Sequence, residues 1–311
     1  MQEKPRILLV DDEERILRSL GMLLRMHYQV FATSDGNEAL AILKREKIHV
    51  VVSDQRMPIM AGTELLRQAR SISPDTIRIL LTGYADADAA VDSVNEGEIF
   101  RYINKPWGPK ELRDTVAQAA EIALKLENVP LVSESAAPAT ADDGRLVCLV
   151  LDSDESTFKA VNDILGPSHE VIWRQSVQGA LQVLAHKRVA ILITELSLGN
   201  EDLSAMVKTL KQEHPDLLTI ILTCFKDTSR LVELINQAQV FRYLPKPLRK
   251  GLLTKSIEST IARYNALRAQ PVRIATQVVE KIVDERQQSE STKIADYLSR
   301  LRSKSLFPRT V

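Results

Sequence analysis

Short apolar runs, many of them β-branched, alternate along the first 127 residues with stretches whose apolar positions recur every three to four residues. Ile7-Leu8-Leu9-Val10 runs into Asp11-Asp12, and Val50-Val51-Val52 runs through Ser53 into Asp54. Ile77-Arg78-Ile79-Leu80-Leu81 reaches Thr82, and Phe100-Arg101-Tyr102-Ile103-Asn104 reaches Lys105-Pro106. Tyr28 to Ala32 reads as one more strand. Helical spacing follows each run. It is seen in Ile16, Leu17, Leu20, Leu23 and Leu24, and in Ala39, Leu40, Ile42 and Leu43 behind the candidate caps Ser34 and Asp35. Shorter helices are predicted over Thr63 to Arg70 and Asp86 to Asn95, and a long one over Glu111 to Leu126. Five strand–helix units with continuously apolar strands predict a doubly wound α/β fold around a parallel sheet. Four of the strands end, in order, in an acid pair, an acid, a hydroxyl and a lysine.

The pattern then stops and starts again. Residues 128–144 are dominated by Ser, Pro, Ala and acids and predict a flexible linker. From 145 to 268 the first pattern recurs at one constant spacing without a gap. Asp152 answers Asp11, Glu195 answers Asp54, Thr223 answers Thr82 and Lys246 answers Lys105. Phe241-Arg242-Tyr243-Leu244-Pro245-Lys246-Pro247 echoes the segment from Phe100 to Pro106. An internal repeat of this length predicts a second domain of the same fold. Residues 269–311 belong to neither repeat. Ile274, Val278, Ile282 and Val283 fit one helical stripe, and Ile294, Tyr297, Leu298 and Leu301 another, with a wholly polar stretch from Asp284 to Lys293 between them. One interrupted helix or two short ones are expected there.

Composition narrows the function classes. Forty-one basic and 41 acidic residues cancel, so overall charge offers no general reason to bind nucleic acid or an anionic membrane. No apolar run approaches the roughly 18 residues that span a bilayer. The N-terminal residues lead straight into a strand, so a cytoplasmic protein without a leader is expected. Cys148 and Cys224 lie in or beside apolar strands and are expected to be buried, reduced thiols. There is no Gly-rich phosphate loop, His-Glu-x-x-His or Cys-x-x-Cys.

The ordered positions Asp11-Asp12, Asp54, Thr82, Tyr102 and Lys105 resemble those of the receiver domain of bacterial two-component response regulators, over about Lys4 to Glu127. The resemblance implies a flavodoxin-like (βα)5 domain with strand order 2-1-3-4-5. It implies Asp54 as phospho-acceptor, with Asp11, Asp12, Asp54 and the backbone carbonyl of Arg56 holding Mg²⁺. It implies Thr82 and Lys105 as contacts of the phosphoryl group, with a cis bond before Pro106, and Tyr102 as the aromatic that turns inward when Thr82 moves. Arg56 and Tyr84 occupy the positions that in this family tune hydrolysis of the acyl phosphate. The chemistry of the residues agrees. Three converging carboxylates repel one another unless a hard cation or a lysine offsets them, and phosphoryl transfer needs a nucleophile plus cationic stabilisation.

The second copy departs from the pattern. Glu195 stands where the first copy has Asp54, Ser153 where it has Asp12, and Leu198-Gly199 where it has Met57-Pro58. Asp152, Thr223 and Lys246 persist. A carboxylate one methylene longer is misplaced for attack, so a degenerate receiver is expected, without phosphorylation and with poor Mg²⁺ binding. Either Glu195 reaches Lys246 and holds an active-like conformation, or the domain serves as a docking module. The expected protein is a tandem-receiver response regulator, not an enzyme beyond its own phosphorylation and dephosphorylation. A sensor histidine kinase or histidine phosphotransfer protein is the expected phosphate source, and output runs through protein contacts, including a possible homodimer. The alternatives are a phosphorelay intermediate and an adaptor with vestigial phosphorylation. A recognition helix for DNA is not expected in the short tail.

Overall fold

The computed structural model describes residues 3–83, 99–127, 144–199, 201–223, 236, 240–269 and 285–305. The expected helix over Asp86 to Asn95, the linker, Tyr84, Cys224 and the stripe from Ile274 to Val283 fall outside these residues. Among the described residues no helix is long and apolar enough to cross a membrane.

The first unit runs β1 (Arg6–Val10), α1 (Glu14–Leu24), β2 (Gln29–Thr33), α2 (Gly36–Arg45), β3 (Val50–Asp54), α3 (Gly62–Ile72), β4 (Ile77–Thr82), β5 (Arg101–Asn104) and α4 (Pro109–Glu127). All five strands are parallel, in the order β2-β1-β3-β4-β5. The central strands are buried at nearly every position, which explains why their sequences do not alternate. Ile7, Leu9, Val50, Val52, Ile79 and Leu81 face a core shared with Leu20, Leu112 and Val116. Leu65, Leu66 and Ala69 of α3 are likewise buried. Asp35 caps α2 by accepting hydrogen bonds from the N–H groups of Asn37 and Glu38.

The second unit repeats the plan in β6 (Val147–Leu151), α5 (Glu155–Leu165), β7 (Glu170–Arg174), α6 (Val177–His186), β8 (Ile191–Glu195), α7 (Ser204–Glu213), β11 (Leu218–Thr223), β12 (Arg242–Pro245) and α8 (Lys250–Ala269). Its strands lie in the order β12-β11-β8-β6-β7, which is the first sheet's order read from the other edge. Between β8 and α7 it adds a small antiparallel pair, β9 (Ser197–Leu198) and β10 (Glu201–Asp202), turning at Gly199, whose φ of 61° favours glycine. Cys148 is buried, and burial pushes its thiol up to about 12.

The tail differs from its sequence reading. Glu285–Ser305 is one continuous helix, α9, and its polar first half is helical too. It packs along α6 and α7 of the second unit. The polar residues are not an interruption, because Gln287 and Ser291 face Lys208 and Thr209 of α7.

Candidate functional site

In an open α/β sheet the crevice lies beyond the carboxyl ends of the strands, where the chain reverses direction across the sheet. Here that point lies between β1 and β3. Val10 of β1 is in register with Ser53 of β3, so Asp11 and Asp54 emerge side by side. Asp54 is in turn level with Leu81 of β4, and Thr82 with Asn104 of β5, which sets Lys105 beside the acids.

Lys105 Nζ donates to Asp54 Oδ1 at 2.6 Å and to Asp11 Oδ2 at 3.0 Å. Asp11 Oδ1 also accepts from the N–H of Glu13 at 2.9 Å, and Asp54 Oδ2 from the N–H of Arg56 at 3.0 Å. Asp12 is exposed. Asp11, Asp12 and Asp54 each offer an oxygen within 4.8 Å of the others, and they form the only such group among the described residues. Burial raises the Asp11 carboxyl above its ordinary value, a rise that the Glu13 N–H and Lys105 only partly offset. Burial by itself lowers the Lys105 ammonium, but its hydrogen bonds to Asp54 and Asp11 outweigh that and raise it. Thr82 is buried at the end of β4, with its hydroxyl 3.3 Å from the carbonyl of Gly83. Tyr102 of β5 is buried, at 1% exposed. The bonds Lys105–Pro106 and Lys246–Pro247 are both cis.

Two backbone features shape the pocket floor. The N–H of Gly62 donates to the carbonyl of Gln55 at 3.0 Å, folding the β3–α3 loop back on itself. A Cβ on Gly62 would lie 2.0 Å from the carbonyl oxygen of Asp54, so only glycine fits against that strand end. The Gln55 side chain, which carried no expectation, accepts from the N–H of Thr63 at 3.1 Å and ties α3 to the strand bearing Asp54.

The second unit keeps the frame and changes the chemistry. Lys246 Nζ donates to Asp152 Oδ2 at 2.8 Å and also to the carboxylate of Glu195. Asp152 accepts from the N–H of Asp154 at 2.8 Å, and Ser153 is exposed where the first unit has Asp12. The N–H of Leu203 donates to the carbonyl of Leu196 at 2.9 Å, the counterpart of the Gly62–Gln55 bond, with a leucine now at the helix entry. Thr223 closes β11, and Tyr243 is buried like Tyr102.

A five-stranded 2-1-3-4-5 sheet with acids and a lysine at the ends of β1, β3 and β5 defines a receiver-type signalling module. The model of the response regulator receiver domain matches residues 7–117 and again 148–258. The chain therefore belongs to the response regulator family, and it carries two receiver domains in tandem.

Its relatives include the hydrogenase transcriptional regulatory protein HoxA of Cupriavidus necator, 42% identical over 115 residues, which are 37% of this chain and 24% of that protein. The alginate biosynthesis transcriptional regulatory protein AlgB of Pseudomonas aeruginosa is 26% identical over 266 residues, 85% of this chain and 51% of that protein. The chain thus spans from about a quarter to half the length of these two relatives. Among solved structures, the signal receiver domain of an HD domain-containing protein from Pseudomonas fluorescens Pf-5 is 37% identical, covering 42% of this chain and 96% of that one, with a TM-score of 0.40.

Proposed function

We propose that Asp54 accepts a phosphoryl group from the phosphohistidine of a sensor kinase, and that the first receiver is the switch while the second takes no phosphate. The observation that carries this reading is Lys105, bonded at once to Asp54 and Asp11 with Asp12 alongside. An Asp54 oxygen attacks phosphorus, an O–P bond forms, and the P–N bond breaks with its electron pair leaving on the imidazole. Lys105 sits where negative charge gathers and needs no rearrangement to meet it. Later attack by water at phosphorus releases inorganic phosphate and restores the carboxylate.

The oxygen donor set of Asp11, Asp12, Asp54 and the Arg56 carbonyl fits Mg²⁺, which offsets charge on the phosphoryl group when bound. Phosphorylation adds about −1.5 to −2 charges. The Thr82 hydroxyl is the donor that answers them, and Tyr102 relays the change along β5. A full reversal of such a switch takes about 5.5 kcal/mol of differential interaction.

The Lys246–Glu195 bond supports the reading in which Glu195 holds its lysine permanently, so the second receiver stays in one state. Residues 128–144 serve as linker between domains spanning 1–127 and 145–268. Output passes through protein contacts. A nucleic-acid output is the second reading, favoured by the relatives that are transcriptional regulatory proteins.

The test is intact mass after incubation with acetyl phosphate and Mg²⁺, for wild type, Asp54→Asn and Glu195→Gln. One phosphate on wild type and Glu195→Gln, and none on Asp54→Asn, is expected. Phosphate retained by Asp54→Asn, or located within residues 145–268, overturns the assignment.

A further inference from the structure

Helix α9 lies outside the receiver plan, yet it covers the α6–α7 face of the second unit. Leu298 is the only fully buried apolar side chain among its described residues. Ile294, Ala295, Tyr297 and Leu301 are half-buried beside it, and polar contacts flank them. Lys208, 0% exposed, donates to Gln287 Oε1 at 2.5 Å, and the hydroxyls of Thr209 and Ser291 are 2.6 Å apart. Nearer the C-terminus, Gln178 donates to the Tyr297 hydroxyl at 3.3 Å. The last turns are held by Arg302, whose guanidinium meets Glu213 at 3.2 Å and His214 Nε2 at 2.7 Å.

The contact with His214 fixes a protonation state. A guanidinium can only donate, so His214 Nε2 must supply the lone pair, and the ring is neutral. Protonation would set two cations 2.7 Å apart. The other charged groups around His214 are accounted for. Glu213 already serves Arg302, and Asp216 is taken by Arg188 at 2.6 Å. Lys211, one turn back on α7, directs its ammonium to the carbonyls of Pro215 and Leu217. Burial and Arg302 together outweigh the two acids and hold His214 below its ordinary value.

We propose that α9 is a releasable strap on the second receiver, and that protonation of His214 frees its C-terminal turns. One fully buried leucine, four half-buried residues and a set of polar contacts hold the helix, and at its C-terminal turns the hold is the Arg302 contact with Glu213 and His214. The sign follows from linkage. Releasing α9 removes Arg302 and part of the burial, so undocked His214 takes up a proton more readily than docked His214, and the strap is held at higher pH and loosens on acidification.

Hydrogen exchange of the full chain tests this, with protection factors for residues 297–305 compared at pH 7.5 and 5.5. Wild type is expected to lose protection by about five- to tenfold, the effect of one coupled proton over this range, while peptides of β8 stay unchanged. His214→Gln keeps an acceptor for Arg302 but does not titrate, so it is expected to show a flat profile, while Arg302→Gln removes the second cation and leaves the burial, so it is expected to lose less protection than wild type. Constant protection in wild type, or an equal loss in either variant, overturns the proposal.

Discussion

The ammonium of Lys246 is bonded to the carboxylate of Glu195 at the ends of β12 and β8. The longer side chain does not break the lysine–acid link that Asp54 and Lys105 make in the first receiver. It leaves the side chain more open, 24% exposed against 8% for Asp54. Glu195→Gln is therefore expected to weaken the second receiver by about 1–3 kcal/mol, read from urea unfolding. Glu195→Asp restores the length but leaves Ser153 in place of an acid, so it is expected to gain no phosphate from acetyl phosphate.

In the first receiver Lys105 stands in for a cation among the three acids. Lys105→Ala is expected to lower stability by roughly 2–3 kcal/mol without Mg²⁺, since buried Asp11 and Asp54 lose their partner. Added Mg²⁺ should recover much of that, because a ligand at about 100 times its Kd contributes about 2.7 kcal/mol. Melting temperature against Mg²⁺ concentration measures this. The curve should be steeper in Lys105→Ala than in wild type and flat in Asp12→Asn.

Gly62 holds α3 against the end of β3. Gly62→Ala would drive a methyl group into the Asp54 carbonyl, which must retreat with the strand end. A loss of about 2 kcal/mol or more in urea unfolding is expected, together with slower phosphorylation from acetyl phosphate. Stability equal to wild type would show that the β3–α3 loop relaxes freely.

Lys211 couples the second receiver to alkaline pH. Burial lowers its ammonium to about 7 in the folded chain. Between about 7 and its unfolded value near 10.4, the unfolded state binds more protons, so stability rises with pH by about 1 kcal/mol per unit. Below about 7 both states are charged and this dependence vanishes. Denaturation at pH 7 and pH 9 should show the rise in wild type, and Lys211→Met should remove it.

Much of this protein is legible before folding. Strands buried on both faces must be continuously apolar, so β1, β3, β4 and their counterparts are visible as runs, and the acid or hydroxyl that closes each run marks the one end of the sheet open to chemistry. The exact recurrence of that order exposes the duplication, and the change from Asp54 to Glu195 marks the copy that departs. The tertiary structure decided the rest, because it depends on atoms distant in the chain. Whether Glu195 still reaches Lys246 depends on the spacing of β8 and β12 across the intervening β11. That Gly62 must be glycine depends on the close approach of the Asp54 carbonyl. The polar stretch from Glu285 to Lys293 reads alone as a break in a helix, because polarity ordinarily signals solvent. Against Lys208 and Thr209 the same residues are an interface, since a hydrogen bond satisfies a polar group whether its partner is water or protein.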